Sequence, residues 1–402
     1  MDKSALKGVR VADFGWVLAE PYGSMLLAHM GAEVIKIESH RRIDEQRTHT
    51  GAGVSKDYEA SSNFFEINLN KLSVSVDLKT AKGKELAKRL VSVSDVAMEN
   101  MRPGVMKRLG LGYEELVKVK QDLIMLSLSG YGGTGPYAHY AAYAPCFSCF
   151  SGQANLTGYA DGVPNTLTSD CDARAGTAAA FAVLMALNIR QRTGQGQFID
   201  LSSSEALNML IGDQMMDYSM NGRSPMRTGN HDAIMAPHNC YRCKGHDAWI
   251  SIAVANDQEW EALCRVMGSP EWTKEEAFSS AYSRWQNQDR LDRLMEEWTI
   301  NYRYQELMEL LQEAGVAAMP SFKAKDLFTN PHLIAREAIT EVTHPVLGTR
   351  KTIAPPWKLS ETPARISRPA PLLGEHNEYV FGELLGMSTR EQEQLKLEEV
   401  IF

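Results

Sequence analysis

The chain has 402 residues, 44% apolar and 23% charged, the balance of a soluble, well-cored protein of two or three domains. Forty-two basic against fifty acidic residues leave a net charge of −8, which argues against a nucleic-acid binder resting on a basic field. No apolar run is long enough to span a bilayer, the amino terminus lacks a signal-like apolar stretch, and six cysteines are too few for a disulfide scaffold, so the expected setting is cytoplasmic and off the membrane.

In chain order, Val9 to Phe14 alternates with period two and predicts a strand; Pro21 to Met30 follows at helical spacing and is closed by Gly31. Glu33–Glu38 and Ser73–Leu78 predict further strands, and a helix starts at Thr80 with Leu86, Leu90 and Val91 on its apolar face. Asp95–Met98 and Leu123–Leu128 add two more strands. Strands separated by helices of ten to fifteen residues predict βαβ units, hence an α/β fold with a mostly parallel sheet. An Ala-rich helix covers Ala173 to Arg190, its small residues suited to close packing on another helix or a second subunit. A turn at 192–197 then leads to a strand at Phe198–Leu201 and a helix capped by Ser203. Residues 221–237, rich in Gly, Asn and Pro, mark a boundary. The expected domains are therefore 1–220, a smaller one at 221–330, and a return segment 331–402 completing the first. Within the smaller domain Ala248–Val254 predicts a strand and 258–267, 291–300 and 305–314 predict helices. The return segment reads as a Pro-rich excursion ending in a polar helix.

Four motifs invite chemistry. Gly130-Tyr131-Gly132-Gly133-Thr134-Gly135 has the spacing of a dinucleotide fingerprint, but Pro136 follows at once and Asn155 stands where an acidic residue is required, so a flexible glycine loop is the simpler reading. Cys146/Cys149 and Cys240/Cys243 lie too far apart for ordinary zinc-ligand spacing, and no metal is expected. Asp170-Cys171-Asp172, just before the Ala-rich helix, fits two capping carboxylates; the rival reading is a carboxylate nucleophile, and on physics alone the cap leads. Basic residues at Lys36, Arg41, Arg42, Lys79, Lys82, Lys84, Arg102, Lys107 and Arg108 read mostly as solvated surface. Asn100 to Gly104 nevertheless follows a strand directly, which places cations at the edge where α/β sheets bind anionic ligands.

Six blocks in order, GVRVADFGWVLAEPYGSMLLAHMGAEVIKIE (8–38), LNKLSVSVDLKTAKGKEL (69–86), ENMRPGVMKRLGLGYEEL (99–116), SGYGGTGPYAHYAAYA (129–144), RTGQGQFIDLS (192–202) and GNHDAIMAPHNCYRCKG (229–245), resemble the class III CoA-transferases of the CaiB/BaiF family. The resemblance implies a Rossmann-like large domain, a smaller α/β domain and an interlocked, ring-shaped dimer. It also implies acyl-CoA and carboxylic acid substrates, succinyl-CoA as a candidate donor, and no tightly bound cofactor. The family's catalytic aspartate opens an Asp-x-x-x-Gly pattern, matched here by Asp172 to Gly176, which moves Asp172 from cap to nucleophile with Asp170 as the alternative. CoA contacts fall on Val17, Ser39, Val76, Lys79, Asn100, Met101, Arg102, Arg108 and Leu109. Ser39 stands where some members have Arg, a role Arg41 or Arg42 can take. Leu18 and Ala144, beside Tyr143, replace polar groups of the acyl pocket and favour an acid larger and less polar than oxalate.

The implied chemistry is exchange through an aspartyl mixed anhydride and an aspartyl-CoA thioester, with backbone N–H groups of 130–135 and around Gly229 as oxyanion donors. Two alternatives stand beside it. One is an acyl-CoA racemase of the same fold, but Tyr143 occupies the place of the racemase histidine, and a phenol with an ordinary pKa near 10 is a poor base at neutral pH. The other is a non-catalytic subunit of a heteromeric transferase of the benzylsuccinate type. The partner is thus a second copy or a paralogue.

Overall fold

The computed structural model describes residues 4–50, 53–54 and 57–402. The chain divides into two compact units. The first runs to Ala154 and adds Thr166–Arg223 and the segment from His332 onward; the second is Asn155–Asn165 with Ser224–Pro331.

The first unit is built on six strands: β1 (Arg10–Asp13), β2 (Glu33–Glu38), β3 (Leu72–Ser75), β4 (Val96–Glu99), β5 (Ile124–Ser129) and β6 (Gln197–Ser202). They pair in the order β3-β2-β1-β4-β5-β6, every pair parallel. The order reverses between β1 and β4, the switch point where such sheets open a crevice at the carboxyl ends of their strands. Both faces are covered, which is why the inner strands read as nearly unbroken apolar runs. Ala12, Ile35, Ala97 and Met125 pack under helix α2 (Ala81–Ser92), whose N-cap Thr80 accepts from the Gly83 N–H. Val11, Val34, Val96 and Ile124 pack under α1 (Ala19–His29) and the long Ala-rich helix.

Between them lie α3 (Val105–Leu109) and α4 (Ala144–Phe150); α5 spans Thr168–Thr193. The small-residue stripe of α5 meets α1: Ala175, Ala179, Val183 and Ala186 are buried against Leu26 and Leu27. Helix α6 (Ser203–Asn208) is capped by Ser202, one residue earlier than its sequence suggests, through the Glu205 N–H. The return segment is more structured than its prolines suggest. It forms an antiparallel hairpin, then runs along β3, where His376 N–H donates to the Ser73 carbonyl and Ile401 bridges Val76.

The second unit has a three-stranded antiparallel sheet, β7 (His238–Arg242), β8 (Trp249–Ala253) and β9 (Ala317–Pro320), with β8 in the middle. Ile250, Ile252, Leu263, Leu291 and Leu307 form its core with the helices at 257–266, 288–299 and 304–313.

Candidate active site

The expected ligand residues fall on the loops that leave the carboxyl ends of four adjacent strands, except Arg108 and Leu109, which lie in α3. Trp16 to Leu18 follow β1, Ser39 to Arg42 follow β2, Val76 to Lys79 follow β3, and Asn100 to Arg102 follow β4. The two loops at the switch point are tied together: the Trp16 N–H donates to Asn100 Oδ1 at 2.8 Å and Asn100 Nδ2 donates to the Trp16 carbonyl at 2.7 Å. Asn100 is thus a clamp on the β1–α1 loop, its amide already committed. Val17, next along, has φ of +65°, a strained conformation for a β-branched residue. Its N–H is held by Asp44 Oδ1 at 3.2 Å. The Arg42 guanidinium lies over the Trp16 ring at 4.7 Å, whereas Arg41 is engaged by Asp77 and Glu399, so Arg42 is the cation left beside Ser39. Lys79, Arg102 and Arg108 are exposed on the same edge, and Met101 and Leu109 pack against the core behind them. Val76 departs from the group: its side chain is buried in that core and its N–H is taken by the Glu38 carbonyl.

Asp172 is no cap. Helix α5 begins at Thr168 after Leu167, whose φ of +46° turns the chain, and Asp172 stands in the second turn. Asp170 pairs with Arg174 at 2.5 Å across one helical turn. The Asp172 carboxylate makes no ion pair or hydrogen bond among the described residues, and burial alone pushes its carboxyl up to about 6. Gly176, four residues on and so on the same face, is where α5 touches α1. A Cβ there would lie 2.3 Å from the Ala19 carbonyl oxygen, and a Cβ on Gly23 would lie 2.7 Å from the Gly176 carbonyl oxygen. Asp172 is therefore held one turn from a backbone-to-backbone contact at the start of α1. Cys171 turns the other way, into a small cluster with Ala144, Phe147 and Leu207. This seats buried Ala144 next to α5, while Tyr143 at the head of α4 is 66% exposed.

The glycine run is tied down. The Gly130 carbonyl accepts from the Ser204 N–H and hydroxyl, and the Gly133 N–H donates to both oxygens of Asp200 at 2.8 and 3.0 Å. Gly132 and Gly135 have positive φ, and a Cβ on Gly130 would meet the Ala142 side chain at 2.3 Å. These glycines build a fixed turn. The Gly133 N–H is committed to Asp200 and the Gly229 N–H to the Gly158 carbonyl, so neither is free to serve as an oxyanion donor.

Residues 6–377 match the profile of CoA-transferase family III. The chain belongs to that family. It is 36% identical over 400 residues to a succinyl-CoA–D-citramalate CoA-transferase of Chloroflexus aurantiacus, covering 98% of both chains. To the beta subunit of a succinyl-CoA–L-malate CoA-transferase from the same organism it is 32% identical, again over 98% of both. A crystal structure of a CaiB/BaiF family protein from Brucella suis superposes with a TM-score of 0.86 at 31% identity, over 95% of this chain and 99% of that one.

Beneath the carboxyl edge of its sheet this CoA-transferase carries a set of buried charges that sequence reasoning missed. Lys36, counted above as solvated surface, is fully buried: it donates to the Gly15 carbonyl at 2.7 Å and pairs with Asp44 at 3.0 Å. Lys71 pairs with Asp13 at 2.9 Å, and Asp13 also accepts from Ser24 and from the Gly15 N–H. Burial opposes the Asp13 charge, yet Lys71 and Lys36 hold its carboxyl down to about 2. Glu20 goes the other way, raised well above the carboxylate range by burial and by Asp13. As an anion neither of its oxygens would have a donor; protonated, it donates to Asp13. Its carboxyl fills the space beside Gly15, where a Cβ would lie 1.3 Å from Oε2. Glu99, closing β4, accepts from the Met101 N–H at 2.6 Å, and burial pushes its carboxyl up to about 7. The signal available in advance was a charge interrupting otherwise apolar strands, Lys36 within β2 and Glu99 at the end of β4.

Proposed function

We propose that this enzyme moves CoA from succinyl-CoA to a carboxylic acid acceptor, with Asp172 as the covalent carrier. The observation that carries this is the contrast inside one helical turn: Asp170 is paired with Arg174, whereas Asp172 is half-buried and has no ion-pair or hydrogen-bond partner among the described residues. A poorly solvated carboxylate is the more reactive nucleophile, and at neutral pH it is still ionised. An Asp172 oxygen attacks the thioester carbon, the C–S bond breaks, and CoA thiolate leaves a mixed anhydride. The thiolate then attacks Cγ of Asp172, releasing the donor as carboxylate and forming an aspartyl-CoA thioester. The acceptor carboxylate attacks the same carbon and expels thiolate, which takes the acceptor's acyl group and frees Asp172. No proton is gained or lost overall. CoA is proposed to lie along the Trp16–Leu18, Ser39–Arg42, Lys79 and Asn100–Arg108 edge, with Leu18, Tyr143 and Ala144 at the acyl end. The succinyl donor and a dicarboxylic acceptor are supported by what the two Chloroflexus relatives are named for.

The working unit is proposed to be an interlocked dimer, with a second copy or a paralogue. Phe181, Met185 and Ile189 on α5, and Met209, Met216 and Met220 beyond it, are all exposed, more apolar surface than a monomer usually leaves in water. The test is to incubate the protein with succinyl-CoA, trap with hydroxylamine or borohydride, and map peptides by mass spectrometry. Modification at Asp172, absent in Asp172→Ala, is expected. An adduct at Asp170, or CoA binding with no adduct on any carboxylate, overturns the assignment.

A further inference from the structure

A polar cavity lies at the opposite, amino-terminal edge of the same sheet. Its volume is about 570 Å³, and it is bounded by the end of α1, the starts of β2 and β3 and the return segment, with His29, Arg365, Arg368, His376 and Tyr379 on its walls. The length of β2, roughly 20 Å, separates it from the ligand edge.

The hydrogen bonds decide what this cavity presents. Asn70 Oδ1 accepts from the backbone N–H groups of Ser367 and Arg368, which fixes the amide's orientation and leaves Nδ2 to donate to the Arg365 carbonyl and to His29 Nδ1. His29 Nδ1 is then an acceptor, so its ring proton sits on Nε2. The Ser73 N–H likewise donates to His376 Nδ1 and puts that ring's proton on Nε2. His29 is 5% exposed, and the carbonyls at its end of α1 are already satisfied: the Met30 carbonyl takes the Leu6 N–H and the His29 carbonyl the Arg365 N–H. The carboxylate on the wall, Glu33, is occupied on both oxygens, by Arg10 and by the Tyr379 hydroxyl at 2.6 Å. Arg365 and Arg368 form no ion pair among the described residues. Among the described residues the walls therefore carry two imidazole rings, one of them almost wholly withdrawn from water, and two guanidinium groups, while the Glu33 carboxylate is already paired.

We propose that this cavity is a second ligand site, for a small, multiply charged oxyanion: phosphate or a di- or tricarboxylate. It is independent of the transfer chemistry, and an occupant would bridge the return segment to α1 and β2, segments that lie more than 300 residues apart in the chain. Both imidazoles stay neutral near pH 7, since burial holds His29 down to about 4 and also lowers His376.

The test is a calorimetric titration of the full chain with inorganic phosphate and, separately, citrate, at constant ionic strength and with saturating CoA to fill the other anion site. One saturable site per chain is expected, accompanied by a rise in melting temperature. The Arg365→Gln/Arg368→Gln double variant, whose side chains are exposed, should fold normally, lose at least tenfold in affinity and keep its transferase rate. Preference for one probe identifies the ligand class. Absence of saturable binding to the parent chain, or equal affinity in the folded double variant, overturns the proposal.

Discussion

Replacing Asp172 by Asn should stabilise the protein while abolishing transfer, and the gain should depend on pH in a defined way. The Asp172 carboxyl sits at 3.8 in an unfolded chain and at about 6 in the folded one, raised by burial. Between those values the folded state binds the extra proton, so stability falls as pH rises through the window from about 4 to 6 and stays lower above it. The full shift corresponds to about 3 kcal/mol; because the side chain is only half-buried, solvent screening reduces this to about 2 kcal/mol. Asparagine escapes the charge-burial cost. The variant should therefore match the wild type near pH 4 and exceed it by about 2 kcal/mol at pH 8, read from urea midpoints at fixed protein concentration across that range. Wild-type turnover should fall about tenfold per pH unit below 6 as the proposed nucleophile is protonated. A stability offset for Asp172→Asn that is independent of pH, or negative at pH 8, would refute the view that this carboxylate is kept ionised against its surroundings.

Gly176→Ala places a Cβ 2.3 Å from the Ala19 carbonyl oxygen; a loss of about 1–3 kcal/mol is expected, with kcat falling up to about a hundredfold as Asp172 shifts, checked by thermal unfolding and a separate reading of kcat and KM. Gly15→Ala drives a methyl into the buried Glu20 carboxyl and should cost a similar amount, whereas Gly15→Ala/Glu20→Ala should recover most of it, so a double-mutant cycle that proves additive would sink the proposed collision. Asp200→Ala frees the Gly133 N–H, and hydrogen exchange at that amide should rise well above wild type while the sheet core stays protected.

The parallel sheet was readable because its inner strands are short, apolar and spaced by helices, and the loops at its carboxyl edge followed from strand ends alone. The start of α5 was not. Aspartate is such a common cap that Asp170 and Asp172 masked the real opening at Leu167, which has no side chain able to cap and turns the chain through its backbone instead. Lys36 and Lys71 were misread or unremarked for a related reason: local pattern assigns a lysine to water, and the carboxylates that let these two be buried, Asp44 and Asp13, lie 8 and 58 positions away. The hairpin in the return segment was hidden by its prolines, although Thr340 to His344 alternates buried and exposed as an edge strand should. The cavity at the far edge was beyond sequence reasoning, since it is assembled from residues near 30, 70 and 370.

The buried charges under the carboxyl edge of the sheet make better sense as positioning devices than as sources of stability. A buried ion pair rarely outweighs its desolvation cost, so Asp13, Lys36, Asp44 and Lys71 would be a poor way to strengthen this sheet. What they do is hold backbone: Lys36 takes the Gly15 carbonyl, Asp13 the Gly15 N–H, Asp44 the Val17 N–H, and from the neighbouring strand Asn100 takes both polar groups of Trp16. Three consecutive residues of one loop are thereby fixed, one of them in a conformation that costs about 1–3 kcal/mol. Such strain is reasonable where a loop must keep its shape before a ligand arrives, and this loop leads straight into Leu18 and the start of α1, which Gly176 presses against on the same face of α5 that carries Asp172. Strain at Val17 thus sits in a loop held from beneath by buried groups, and that loop runs into the start of α1, which touches α5 one turn from Asp172.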